Sequence, residues 1–157
     1  MFVKKLTLTA MFLSLGIVLP MHIPVFLCAF ICGRKYRVPM SFVLPLLRTV
    51  LFSRPKMYPD AIAIAFEMAV YALVAGLIFE AFPKKDLKAI YVSLISAMVL
   101  GRVVRIVVQM ALLGLKGTPL TFGAVFSSVV IVGLPGIILQ LIAVPLILFT
   151  FKRNIKN

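Results

Sequence analysis

From its first residue the chain alternates apolar runs with short clusters of proline, glycine and charge. Cutting the runs at those clusters leaves six apolar segments, at about 5–20, 22–33, 39–52, 61–81, 88–114 and 121–150. Several of them reach the ~20 residues with which an α-helix crosses a hydrocarbon layer. The pattern therefore predicts an all-α, polytopic membrane bundle of six transmembrane helices. The second and third segments are short and are flanked or interrupted by Pro24, Pro39 and Pro45. At membrane depth such a span is tolerated where neighbours shield its freed carbonyls or where it lines a wet cavity. A cavity is thus expected beside these two segments. The sixth segment contains Gly133, Pro135, Gly136 and Pro145, which predicts a kink near Pro135 with Gln140 one turn beyond it.

Polar residues inside these segments sharpen the picture. The stretch Pro39–Glu67 places Arg48 in the third segment and Glu67 in the fourth, joined by the loop SRPKMYPD. Asp60 is a suitable N-cap for the fourth helix, and Glu67 lies roughly two turns further in. A carboxylate at that depth requires a partner or water, which makes it a candidate functional group, paired with Arg48 or Arg102. Tyr71 follows four residues later, on the same helix face. Its ring suits stacking on a planar ligand and its hydroxyl can donate. Six alanines between Ala61 and Ala75 predict close neighbours on several sides of this helix. In the fifth segment Arg102, Arg105 and Gln109 recur at spacings of three and four, one polar stripe on an apolar helix. Two mid-membrane arginines with few acids nearby point to anionic company: a ligand carboxylate, a lipid phosphate or Glu67. Tyr58 in the loop suits the membrane interface. In the first helix Thr9 or Ala10 with Ser14 forms a small-residue face that admits another helix closely. His22, in the abrupt connection LPMHIP, is expected to face water at the interface. Cys28 and Cys32 read as small buried residues on one helix face.

Composition removes other classes. Hydrophobic residues make up 63% of the chain, with only four acids, which exceeds what a soluble core of this size can bury. The net charge of +13 does not mark a nucleic-acid reader, because the basic residues punctuate the apolar runs instead of gathering on one hydrated face. Lys4, Lys5, Arg34, Lys35, Arg37, Lys84, Lys85, Lys88, Lys152, Arg153 and Lys156 all fall on one side if the N-terminus is inside, leaving Arg54, Lys56 and Lys116 outside. Both termini are then cytoplasmic. The N-terminal apolar run lacks a small-x-small cleavage site and is read as a retained first helix, so residues 1–157 form a single integral membrane domain. There is no phosphate loop, no HExxH and no supportable nucleophile–base set. No enzyme, cofactor or metal is expected, and any pumping must draw on another subunit.

In order, the motifs LTLTAMFLSLGIVLP, MHIPVFLCAFICGRKY, FVLPLLRTVLF, the Tyr-Pro loop, AIAIAFEMAVYALVAGLIFE, the Lys-rich turn, LGRVVRI and GLPGIILQLIAVPLIL resemble the S component, the substrate-binding membrane subunit, of energy-coupling factor (ECF) vitamin transporters. The resemblance covers nearly the whole chain. It implies a six-helix bundle in the cell membrane of a prokaryote that binds a water-soluble vitamin or precursor from outside. It also implies docking on a transmembrane scaffold subunit with two cytoplasmic ATPases, and toppling in the membrane to release the cargo. Carried onto this chain, it places scaffold contact at Ala10 and Ser14 and substrate binding at Arg48, Tyr58, Glu67, Tyr71 and Arg102. The family's substrate-capping first loop is abbreviated here to LPMHIP, so Pro39–Glu67 is expected to act as both wall and lid.

Two functional readings follow. The first is a substrate-capture subunit. The second is a non-transporting membrane scaffold or assembly factor whose buried charges only fix helix register. Substrate identity stays open: the arginines suit a carboxylated vitamin such as pantothenate, biotin or folate, whereas Glu67 suits the amine or pyrimidine of a thiamine-type precursor.

Overall fold

The computed structural model of the chain describes residues 2–18, 22–84, 86–115, 117, 122–131 and 134–155. Its elements are helices: α1 (Phe2–Val18), α2 (His22–Ile31), α3 (Arg34–Phe52), α4 (Ile62–Ala81), α5 (Leu87–Leu115), α6 (Phe122–Val130) and α7 (Leu134–Ile155). A wide π-type turn, Met57–Ala61, leads into α4 and contains Tyr58 in an extended conformation. We call the end of the bundle that holds the α3–α4 connection its upper end. Residues 19–21, Lys85, Lys116, Gly133 and Lys156, which entered the reading of loops and topology, lie outside the described residues.

The fourth and fifth helices stand where the apolar runs put them. Counting the turn, Met57–Ala81 and Leu87–Leu115 are long and apolar enough to cross a membrane by length and composition. The third element is not short, as expected, but a 19-residue helix that begins at Arg34 and keeps Pro39 and Pro45 inside it. The sixth apolar segment is not one kinked helix. It is divided into α6 and α7, with Pro135 in the first turn of α7, where a missing N–H removes no intrahelical bond.

Small residues make α4 the hub. Ala63, Ala65, Ala72, Ala75 and Gly76 are buried, and the helix packs on α2, α3 and α5. Against α5 it runs antiparallel in a fixed register. Asp60 faces Gln109, Glu67 faces Arg105 and Arg102, and Tyr71 lies on Gly101. Asp60 therefore does not cap α4. Its Oδ1 accepts from Gln109 Nε2 at 3.3 Å. A methyl group at Gly101 would sit 2.2 Å and 2.3 Å from two carbons of the Tyr71 ring. Gly101→Ala is accordingly expected to destabilise the bundle by ~1–3 kcal/mol, read as a thermal midpoint lowered by several degrees in fixed detergent.

At the lower end Arg37, assigned from the sequence to the charged surface, is wholly buried. Its Nη1 donates to Glu80 Oε1 at 2.9 Å, linking the start of α3 to the end of α4. Gly76 makes this possible, since a Cβ there would lie 1.9 Å from the same nitrogen.

The outward faces are apolar. Val99, Val103 and Val107 of α5, Ile138, Ile142, Leu146 and Phe149 of α7, and Val50, Leu51 and Phe52 of α3 are all exposed. Soluble monomers do not leave so continuous an apolar surface in water, and a hydrocarbon surrounding accounts for it. The protein is a membrane protein.

Candidate functional site

Glu67 is the most informative buried group. Its side chain has no exposed surface, and both of its oxygens are engaged. Oε1 accepts from the Tyr71 hydroxyl at 2.5 Å and lies 3.3 Å from Arg102 Nε. Oε2 accepts from Arg105 Nη1 at 3.1 Å. The i,i+4 spacing on α4 presents Tyr71 to Glu67, and the three-residue spacing on α5 presents the two guanidinium groups as a fork. Arg102 Nε also donates to the Tyr71 hydroxyl at 3.2 Å, while its Nη1 donates to the Val129 carbonyl of α6. Four side chains from two helices, with one carbonyl from a third, thus form a connected polar network inside an apolar bundle. In such surroundings each hydrogen bond to a charged group contributes ~1.5–3 kcal/mol.

Aromatic packing forms the floor of this network. The Tyr71 ring stacks on Phe26 of α2, centroids 5.3 Å apart and planes 20° apart, and its edge lies on Gly101. A protein ring therefore occupies a face of Tyr71 that the sequence reading offered to a planar ligand. His22, expected at the aqueous interface, is instead half-buried, its ring centroid 6.0 Å from that of Tyr71. Tyr71 lies nine residues into α4, about 14 Å along its axis at ~1.5 Å per residue. Because α2 starts beside Tyr71 and has only ten residues, it flanks the lower part of the bundle alone.

The sequence-derived site residues fall into two groups. Glu67, Tyr71 and Arg102 are in direct contact. Arg48, near the upper end of α3, is half-buried. Tyr58 is elsewhere: it is exposed, and its hydroxyl donates to the Leu112 carbonyl of α5, closing the upper rim between the loop and that helix. Arg105 was legible as part of the polar stripe but did not stand among the site residues. It is a direct partner of Glu67. Two buried polar atoms of this region have no hydrogen-bond partner: Arg105 Nε and, one turn above it, Gln109 Oε1. Among the described residues no three His, Cys, Asp or Glu side chains gather as metal ligands.

Ala10 and Ser14 lie on the exposed face of α1. The Ser14 hydroxyl donates back to the Ala10 carbonyl at 2.8 Å, which keeps that face apolar. Beside it runs a groove of about 400 Å³ between α1 and α3, lined by Leu6, Ala10, Leu13, Tyr36, Met40 and Val43 among others.

Compared with known proteins, residues 4–148 match the profile of the family described as "ECF transporter, substrate-specific component". No curated protein and no solved structure matches the chain.

Proposed function

Because the chain belongs to the family of ECF transporter substrate-specific components, we propose that it is the substrate-capture subunit of an ECF-type importer. It takes a water-soluble vitamin or precursor from outside the cell and passes it through a transmembrane scaffold driven by two cytoplasmic ATPases. In this reading α6 and α7 together make the sixth span, both termini are cytoplasmic, the upper end faces outward, and the membrane is the cell membrane of a prokaryote. The observation that carries the proposal is the Glu67–Tyr71–Arg102–Arg105 network, placed beside the top of a truncated α2. Charged groups are retained at such depth chiefly where a polar cargo or a partner uses them.

The test is binding by purified protein, with uptake of radiolabelled vitamins in cells, for wild type, Glu67→Gln and Arg102→Ala. Each substitution removes a charge-assisted contact, and affinity is expected to fall by tenfold or more, at ~1.4 kcal/mol per decade. Failure of every vitamin to bind, or both variants binding like wild type, would reject the assignment.

Scaffold docking has its own test. The exposed Ala10 face and its groove suit close approach of another helix. Ala10→Phe is expected to weaken co-purification with the scaffold about tenfold or more while leaving ligand affinity unchanged. Intact complex formation by this variant would place the interface elsewhere.

One observation favours the second reading, a scaffold or assembly factor with structural charges: both Glu67 oxygens already have protein partners. If that is their whole purpose, exchanging Glu67 and Arg105 restores stability and activity together. Under the capture reading the exchange restores stability alone.

A further inference from the structure

The network is unequal in what it leaves over. Among the described residues, the membrane segments of the upper half carry three guanidinium groups, Arg48, Arg102 and Arg105, against the carboxylate of Glu67 and that of Asp60 at the rim. The region holds an excess of positive charge, which is unfavourable in a medium that solvates ions poorly. Glu67 has no bare oxygen to offer a cationic or amine-bearing ligand, since a guanidinium already lies against each. Beside Glu67 and Asp60 on α5, the buried atoms without partners are a donor, Arg105 Nε, and an acceptor, Gln109 Oε1. The orientation of the Gln109 amide follows from chemistry: its nitrogen must face Asp60, which as a carboxylate can only accept, so its oxygen faces elsewhere. The two atoms belong to residues four apart on α5, separated by about one helical turn, ~6 Å of rise.

Resting on the capture reading above, we propose that the cargo is a small organic acid. Its carboxylate binds at Arg105, beside Arg102, and a hydroxyl or amide N–H of the same molecule, about one helical turn away, donates to Gln109. The carboxylate supplies the charge that the site lacks and the acceptor that Arg105 Nε lacks. The hydroxyl or N–H supplies the donor that Gln109 lacks. An amine-bearing ligand could donate to Gln109, but it would add to the existing excess of positive charge and leave Arg105 Nε without an acceptor. Arg105 and Gln109 are thereby specificity-determining residues.

The experiment is calorimetric titration of the purified full chain with the water-soluble vitamins, arranged where chemistry permits as pairs that differ in the acid alone: pantothenate with panthenol, biotin with biotinamide. Thiamine serves as the cationic probe. An acid is expected to bind, with its neutral partner weaker by about tenfold to a hundredfold. Arg105→Lys, which retains the charge and loses the Nε donor, should narrow that ratio. Gln109→Leu should weaken the acid and its neutral partner alike, leaving the ratio intact. Preferential binding of thiamine, or of a neutral partner as tightly as its acid, overturns this inference and leaves the capture reading standing. Binding of no probe by folded protein overturns both.

Discussion

Glu67→Ala is expected to be the most damaging single substitution in this bundle, lowering stability by ~3–5 kcal/mol. The reason is what it leaves behind. Arg102 and Arg105 are 12% and 21% exposed and share this one carboxylate. The Tyr71 hydroxyl, fully buried, also loses its acceptor. Two guanidinium groups would then face a small cavity without the carboxylate that both contact. Glu67→Gln keeps an acceptor of the same shape and should fall between wild type and alanine. The measurement is the thermal midpoint in one detergent, where a loss of this size corresponds to roughly 10 °C for a chain of this length. A shift under ~2 °C for the alanine variant would mean that water or lipid replaces the carboxylate, and that the network does not hold α4 to α5.

The second large effect lies at the lower end and is asymmetric. Glu80→Ala strands Arg37, which has no exposed surface and whose Nε and Nη2 are already without partners. Removing this ion-pair partner should again cost ~3–5 kcal/mol. Arg37→Met behaves differently. It fills most of the same space above Gly76 with an apolar chain, and Glu80, one-third exposed, keeps contact with water. Replacing a buried ion pair by apolar groups is often neutral or stabilising by ~1–4 kcal/mol. The double variant Arg37→Met/Glu80→Ala is therefore expected to recover nearly all of the stability lost in Glu80→Ala, and a double-mutant cycle measures that recovery. If Arg37→Met proves as damaging as Glu80→Ala, the arginine contributes through packing that methionine does not reproduce.

The fold was legible wherever one segment's own pattern decided it. The apolar runs and the small residues of 61–81 are properties of single helices, and α4 and α5 match them within a residue or two. The start of α3 was not legible. Arg34–Arg37 looks like a charged turn, and only the vacancy opposite, at Gly76 on another helix, lets the sequence fold inward there. The same distinction runs through the site. The Glu67–Tyr71 pair and the Arg102–Arg105–Gln109 stripe follow from helical spacing, and the structure contains both. Which arginines meet Glu67 depends on the axial register between two helices, which spacing within either cannot reveal. Asp60 illustrates the conflict: its local position suggests a cap, but a partner on α5 takes its oxygen. His22 was misplaced because the depth at which α2 begins depends on Tyr71 and Phe26, not on the residues beside it.

The rungs between α4 and α5 also limit how the protein can move. Sliding one helix past the other by a single turn, ~5.4 Å, would part Asp60 from Gln109, Glu67 from both arginines, and Tyr71 from its glycine notch at the same stroke. The pair is keyed like a splined shaft, so it can tilt or rotate as one piece but cannot telescope. Under the proposed capture function, a cargo held at Arg105 would therefore travel with this pair as a body.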